Sequence, residues 1–221
     1  TSVLVMSYRN PLLLAKSLAT LDALSGGRLQ VCMGQGWSKD EHDAVGVSMR
    51  ERSQRGDEVV QALKAVWGDD PVEFHGQFYQ IPRSFVGPKP VQKPHPPIYL
   101  AAYTPGAMKR ITILADGWNP AGIPVAGMAQ MMEGIRQGAR QAGRDPAALK
   151  MVVRANVTLT DGPLGDDRFI FTGSRDQIKS DIQGTREIGA DELFFDPTIS
   201  PAGMSLESFR GSLELMKQLA E

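Results

Sequence analysis

Cysteine is nearly absent from this chain. Cys32 stands alone among 221 residues, and with only three histidines the composition excludes an internal disulfide and a thiolate-rich zinc site. A surplus of either charge is missing too: 24 Lys plus Arg against 25 Asp plus Glu leave a net charge of −1 and no overall field for nucleic acid or an anionic membrane. No stretch approaches the ~20 apolar residues that span a bilayer, and no basic segment before an apolar run marks a signal peptide. These absences predict a soluble protein of a reducing, cytoplasmic setting, with neither a nucleic-acid nor a membrane partner. Common catalytic signatures are missing as well. There is no H-E-x-x-H or Walker sequence, Gly36-Trp37-Ser38-Lys39-Asp40 lacks the second glycine of a nucleophile elbow, and His42, His75 and His95 have no ligand-like spacing. Hydrolase and metal chemistry therefore have no support, and no metal site is expected.

What is present is an ordinary globular composition with a strong βα rhythm. Apolar, β-rich runs fall at Ser2–Ser7, Leu29–Gln35, Ile98–Ala102, Asp116–Asn119, Met151–Thr160 and Glu192–Asp196. Several are apolar at consecutive positions, as suits strands covered on both faces. Helical patterns lie between them. Asn10 and Pro11 open Pro11–Leu24, which Ser25-Gly26-Gly27 closes. Further helices are expected at about Arg50–Trp67, from Thr104-Pro105 onward, over Val125–Gly143, after the capping box Ser174-Arg175-Asp176-Gln177, and over Leu206–Ala220 with Leu206, Phe209, Leu213 and Met216 as its stripe.

Strand and helix thus alternate six times, which points to a parallel α/β sheet. The pattern leaves a barrel and a doubly wound sheet both open. Two segments, near 37–49 and 70–97, read as insertions; the second holds a hairpin, Phe74–Tyr79, and an extended Pro-rich loop, Pro88–Pro97. The chain enters its first apolar run within two residues of Thr1, without the lead-in usual for a domain, so an earlier segment is expected.

Two strand ends carry the candidate chemistry. In Met33-Gly34-Gln35-Gly36-Trp37 the glycines let backbone approach a ligand, and successive N–H groups can cradle an anionic oxygen. As a dinucleotide fingerprint the segment is weak, because Lys39 holds the third glycine position and no helix is expected to begin at once. A tight strand-to-loop turn is the plainer alternative. In Ala101-Ala102-Tyr103-Thr104-Pro105-Gly106 small side chains end a strand where a capped helix starts, an arrangement suited to a planar ligand with a phosphate. In a parallel barrel both would open on the C-terminal face. Cys32 reads as a buried small hydrophobe, Arg50, Arg52 and Arg55 as a solvated face, and Trp37 and Trp118 as rings at strand ends.

The succession Arg9-Asn10-Pro11, Ala19 to Leu29, Gly34-x-Gly36-Trp37, Phe74-His75-Gly76-x-Phe78-Tyr79, Pro88 to Ile98 and Ala115-Asp116-Gly117-Trp118 resembles the luciferase-like monooxygenase superfamily, and more narrowly its actinobacterial members assigned to the deazaflavin coenzyme F420. The resemblance implies a single (β/α)₈ TIM-barrel domain in which these six strands are the third to eighth and the first two βα units are absent. It implies a non-prolyl cis peptide at Ser2-Val3, with Ser2, Val3 and Val5 behind the cofactor ring. Gln35, Gly36 and Trp37 would line the cofactor from the next strand end, and Ala101, Ala102, Tyr103 and Thr104 from the one after. Asp40 and Glu41 would contact its tail or the substrate. The implied activity is hydride transfer between F420 and a small organic substrate, with an FMN-dependent monooxygenase as the alternative and a homodimer as the implied assembly. The family's catalytic acid comes from the two absent strands, so no catalytic residue is named. A different class also stands: six strands leave two unpaired edges, and an incomplete barrel would be non-catalytic.

Overall fold

The computed structural model describes residues 1–196 and 206–220. It divides into two compact units, Thr1–Gly117 and Trp118–Glu221.

In the first unit β1 (Leu4–Val5), β2 (Val31–Gly34) and β5 (Ile98–Leu100) pair in parallel, in the order β1-β2-β5. The register sets Val5 beside Gly34 and Met33 beside Leu100. β2 and β5 are buried along their whole length, as the consecutive apolar residues predict. α1 (Pro11–Leu24) begins and ends where expected: the Asn10 side chain accepts from Leu12 N and Leu13 N, and Gly26 and Gly27 take positive φ beyond its end. It packs on α3 (Arg52–Trp67), whose Val59, Val60, Leu63, Val66 and Trp67 are buried. Trp67 closes this core by donating from Nε1 to Ala15 O at 3.0 Å. The hairpin is β3 (Val72–His75) with β4 (Gln80–Ser84), and α4 (Pro105–Leu114) follows β5.

One element contradicts expectation. A helix does begin directly after the glycine turn: α2 (Lys39–Ala44), whose N-cap Ser38 accepts from Glu41 N at 3.3 Å. Its six residues include only one buried side chain, His42, so no apolar periodicity marks it in the sequence.

The Pro-rich loop lies at the N-terminal ends of β2 and β5. Asp22, fully buried, accepts from Val91 N at 2.8 Å, Gln92 N at 3.0 Å and Gln92 Nε2 at 2.6 Å, and Gln92 Nε2 also donates to Leu29 O. Two of the family-like motifs, 70 residues apart, are thus joined by one carboxylate at the N-terminal ends of β2 and β5. The same ends carry a second clasp. Asp116 accepts from Ile98 N at 2.8 Å while its own N–H donates to Ile98 O.

The short strand β6 (Gly117–Trp118) lies where the two units meet in sequence. In the second unit β7 (Lys150–Asn156) pairs in parallel with β10 (Glu192–Asp196), and β8 (Thr158–Leu159) with β9 (Thr172–Gly173), so the expected run Met151–Thr160 is two strands. The clasp recurs: Asp191 accepts from Met151 N, and its N–H donates to Met151 O, each at 2.9 Å. α5 (Val125–Gln141) buries Met128, Met132, Ile135 and Ala139, and α6 (Arg175–Glu187) starts with a complete capping box at Ser174 and Gln177. α7 (Leu206–Ala220) keeps Met216 of the expected stripe inward but not Leu213. Met216 and Leu219 are buried but Leu213 is 48% exposed, and the side chains of Leu206 and Phe209 fall outside the described residues. Among the described residues no helix is long and apolar enough to cross a membrane.

Candidate functional site

The first unit brings its three parallel strands to a common C-terminal end, and the anticipated site residues lie there. Ala101 N donates to Met33 O at 2.9 Å, which carries the β2–β5 ladder past the last residue of β5. Gly34 sits between its neighbours: a Cβ placed on it would lie 3.4 Å from Val3 Cγ2 and 3.9 Å from the Ala101 Cβ. Val3, Gly34 and Ala101 therefore make a row of small side chains across adjacent strands. A cis peptide joins Ser2 and Val3, where the resemblance implies one.

Gly36 follows with φ +75°. The left-handed conformation alone favours glycine, and here space requires it as well. A Cβ would lie 2.9 Å from Val5 Cγ1, 3.0 Å from the Tyr8 hydroxyl and 3.2 Å from His42 Nε2. Val5, Tyr8 and His42 are thus the floor on which the turn rests. An open cleft of about 330 Å³ lies alongside, lined by Val3, Val5, Tyr8, Arg9, Glu41, Ala44 and Val45.

Several residues here were passed over in the sequence. His42, which has no ligand-like partner in the sequence, is fully buried; its Nε2 meets Gln35 O at 3.3 Å and its ring stands edge-on to Tyr8 with centroids 4.8 Å apart. Arg52 is not part of a solvated face, because its Nη1 donates to Gly36 O at 3.0 Å. Arg55 lies 4.4 Å over the Phe78 ring and bonds Glu51 at 2.9 Å, while Arg50 is exposed. Tyr8 donates to Glu41 Oε2 at 3.2 Å. Desolvation and that bond push the Tyr8 phenol up, against the pull of Arg52, and keep it protonated through neutral pH.

Three buried polar atoms without partners among the described residues lie at these strand ends, Ser7 Oγ after β1, Gln35 Nε2 after β2, and His42 Nδ1, and a fourth, Asn156 Oδ1, ends β7 in the second unit. Native structures pair such atoms almost always. Ser53 Oγ lies 3.3 Å from Gln35 Oε1, which fixes that amide with its Nε2 as the remaining donor.

The other anticipated residues divide by exposure. Ala102 is buried, Trp37 and Tyr103 are 87% and 55% exposed, and Thr104 caps α4 by accepting from Ala107 N at 3.3 Å. Of the pair after the turn, Asp40 is exposed and Glu41 faces the cleft. Trp118 and Asn119 are fully buried in packing, so the Trp118 ring lines no open cleft among the described residues. No group of three or more His, Cys, Asp or Glu suited to a metal ion occurs among the described residues.

Comparison with known proteins places this geometry. The family model for luciferase-like monooxygenases matches residues 1–163. An FMNH2-dependent dimethylsulfone monooxygenase of Pseudomonas putida is 36% identical over 155 residues, which cover 69% of this chain and 42% of that protein. An uncharacterized protein of Mycobacterium tuberculosis is also 36% identical, over 66% of this chain and 51% of its own length. The chain therefore spans about half the length of these curated relatives. Among solved structures, a monooxygenase of Streptomyces bottropensis superposes with a TM-score of 0.77 at 23% identity, over 96% of this chain and 74% of that one. An F420-dependent secondary alcohol dehydrogenase superposes at 0.76 with 18% identity, over 90% and 73%; at such identities the likeness is one of fold. By the family model and by fold together, this chain belongs to the luciferase-like monooxygenase family.

Proposed function

We propose that this chain supplies the ring-binding rim of an oxidoreductase that uses reduced FMN and molecular oxygen on a small organic substrate, built on strands three to eight of a TIM barrel. The observation that carries the reading is the shared strand end: Val3, Gly34 and Ala101 present small side chains side by side, and Gly36 lies beyond them on Val5, Tyr8 and His42. That row suits a flat ring, since nothing larger than a methyl or isopropyl group rises from it. Val3 and Val5 back the ring. Ser2, Gln35, Gly36, Trp37, Ala101, Ala102 and Tyr103 border it. Thr104 and the start of α4 receive its phosphate at the positive end of the helix. Reduced FMN, when bound, supplies the electrons that activate oxygen; the protein orients the ring, excludes water and holds donors at its edge.

The order of cofactors reverses the one that sequence motifs suggest. Relatives named as FMNH2-dependent share 36% and 30% identity with this chain. The F420-dependent proteins resemble it at 18% identity, so hydride transfer with F420 is the second reading. A homodimer remains part of the proposal, to be checked by light scattering. Anaerobic titration of the full-length protein with reduced FMN and with F420 separates the readings. Saturable FMN binding, with oxygen consumed once air and substrate are admitted, supports the first; F420 binding without FMN binding supports the second; binding of neither supports the non-catalytic alternative.

A further inference from the structure

Two successive carbonyl groups beyond β2 are each held by a side chain of a different helix. Gln35 O meets His42 Nε2 of α2 at 3.3 Å, and Gly36 O accepts from Arg52 Nη1 of α3 at 3.0 Å. A trans peptide is planar, and its N–H points opposite to its C=O. Fixing these two carbonyls therefore also aims two donors, the N–H groups of Gly36 and Trp37, away from His42 and Arg52. Neither N–H has an acceptor among the described residues.

His42 carries the argument further. To bond Gln35 O the ring must donate from Nε2, and its Nδ1 is buried and without a partner. An apolar side chain of similar volume would avoid that unpaired atom. The imidazole is thus explained by what its other nitrogen does, namely hold the turn.

We propose that His42 and Arg52 are positioning residues that aim the Gly36 and Trp37 N–H groups as a two-donor cradle for an electron-rich edge of the cofactor ring. This rests on the flavin reading above. Neither side chain touches the ligand; both act through the backbone. The cradle lies ahead of Ser38 and α2, in the strand-end turn itself.

The test uses full-length protein, His42→Leu, His42→Gln and Arg52→Met, with two readouts. In the ligand-free protein, the Gly36 and Trp37 amide resonances shift or broaden in His42→Leu and Arg52→Met and return toward wild type in His42→Gln, whose amide restores a donor. With reduced FMN as the probe, the first two variants bind about tenfold more weakly, as the loss of about one well-aimed hydrogen bond implies, and His42→Gln recovers most of the loss. Should His42→Leu fail to fold, Arg52→Met, altered at a half-buried position, carries the test. Unchanged Gly36 and Trp37 resonances in the folded variants overturn the inference whatever FMN does. Resonances that respond in a protein binding neither FMN nor F420 uphold the positioning and overturn the flavin reading alone.

Discussion

Asp22 and Gln92 are joined by two hydrogen bonds, from the Gln92 backbone at 3.0 Å and from its side-chain amide at 2.6 Å, on a carboxylate with no solvent exposure. A third bond comes from Val91 N at 2.8 Å. Asp22→Ala strands these donors and frees the Pro-rich loop, so it costs about 2–4 kcal/mol of stability. Asp22→Asn costs less because it keeps an acceptor. Urea unfolding of both variants checks the order, and flavin affinity in the folded fraction stays near wild type because the loop lies at the opposite ends of the strands.

Gly26 and Gly36 both hold positive φ, but a Cβ on Gly26 meets nothing within 4 Å whereas one on Gly36 meets Val5 at 2.9 Å. Gly26→Ala therefore bears only the conformational cost, about 1–2 kcal/mol. Gly36→Ala adds overpacking to that, for a total of about 2–5 kcal/mol, and is expected to lose flavin binding. Paired thermal melts isolate the steric part as the difference.

Glu58 reaches across from α3 to accept from the backbone N–H of Gln77 at 2.7 Å, Phe78 at 2.8 Å and Tyr79 at 3.1 Å. Removing it in Glu58→Ala leaves three donors at the hairpin tip to water and costs about 1–3 kcal/mol. Limited proteolysis then cuts within residues 76–80 first, while wild type resists there.

Asp70 is held below the usual carboxylate range by its hydrogen bond with Lys89, aided by Val86 N. A depressed folded value gives stability that is present above the unfolded pKa and lost as pH falls through the folded one. Urea midpoints measured from pH 7 downward fall on the acid side, and Asp70→Asn flattens that part of the slope. The opposite trend, an Asn variant more sensitive to acid than wild type, would assign the effect elsewhere.

Much of this fold was legible because its signals are local. Asn10, Pro11 and Gly26 bound α1 where its caps say, and Ser174 with Gln177 starts α6 by the same logic. The consecutive apolar residues of Val31–Gly34 and Ile98–Leu100 announce buried parallel strands. The glycine turn was legible too, since two glycines at a strand end signal a backbone turn. What the sequence hid depends on distance. α2 is short and mostly exposed, so no stripe declares it. Arg52 reads as one of three surface arginines until α3 brings it to a carbonyl 16 residues earlier. His42 lacks the spacing of a ligand because its partners are Gln35 O and the Tyr8 ring rather than a metal. The outlying Leu213 fits a helical stripe as well as Leu219 does, and only tertiary packing chooses between them.

The account stands on a cofactor ring lying over Gly34 and Ala101, and flavin titration of full-length wild type against Ala101→Leu tests it most directly. Ala101 is half-exposed, so the larger side chain should leave the melting temperature nearly unchanged while filling the space above Gly34. The prediction is saturable binding of reduced FMN by wild type and at least about tenfold weaker binding by the variant, the loss of some 1.4 kcal/mol. Equal affinity in the two proteins would contradict it.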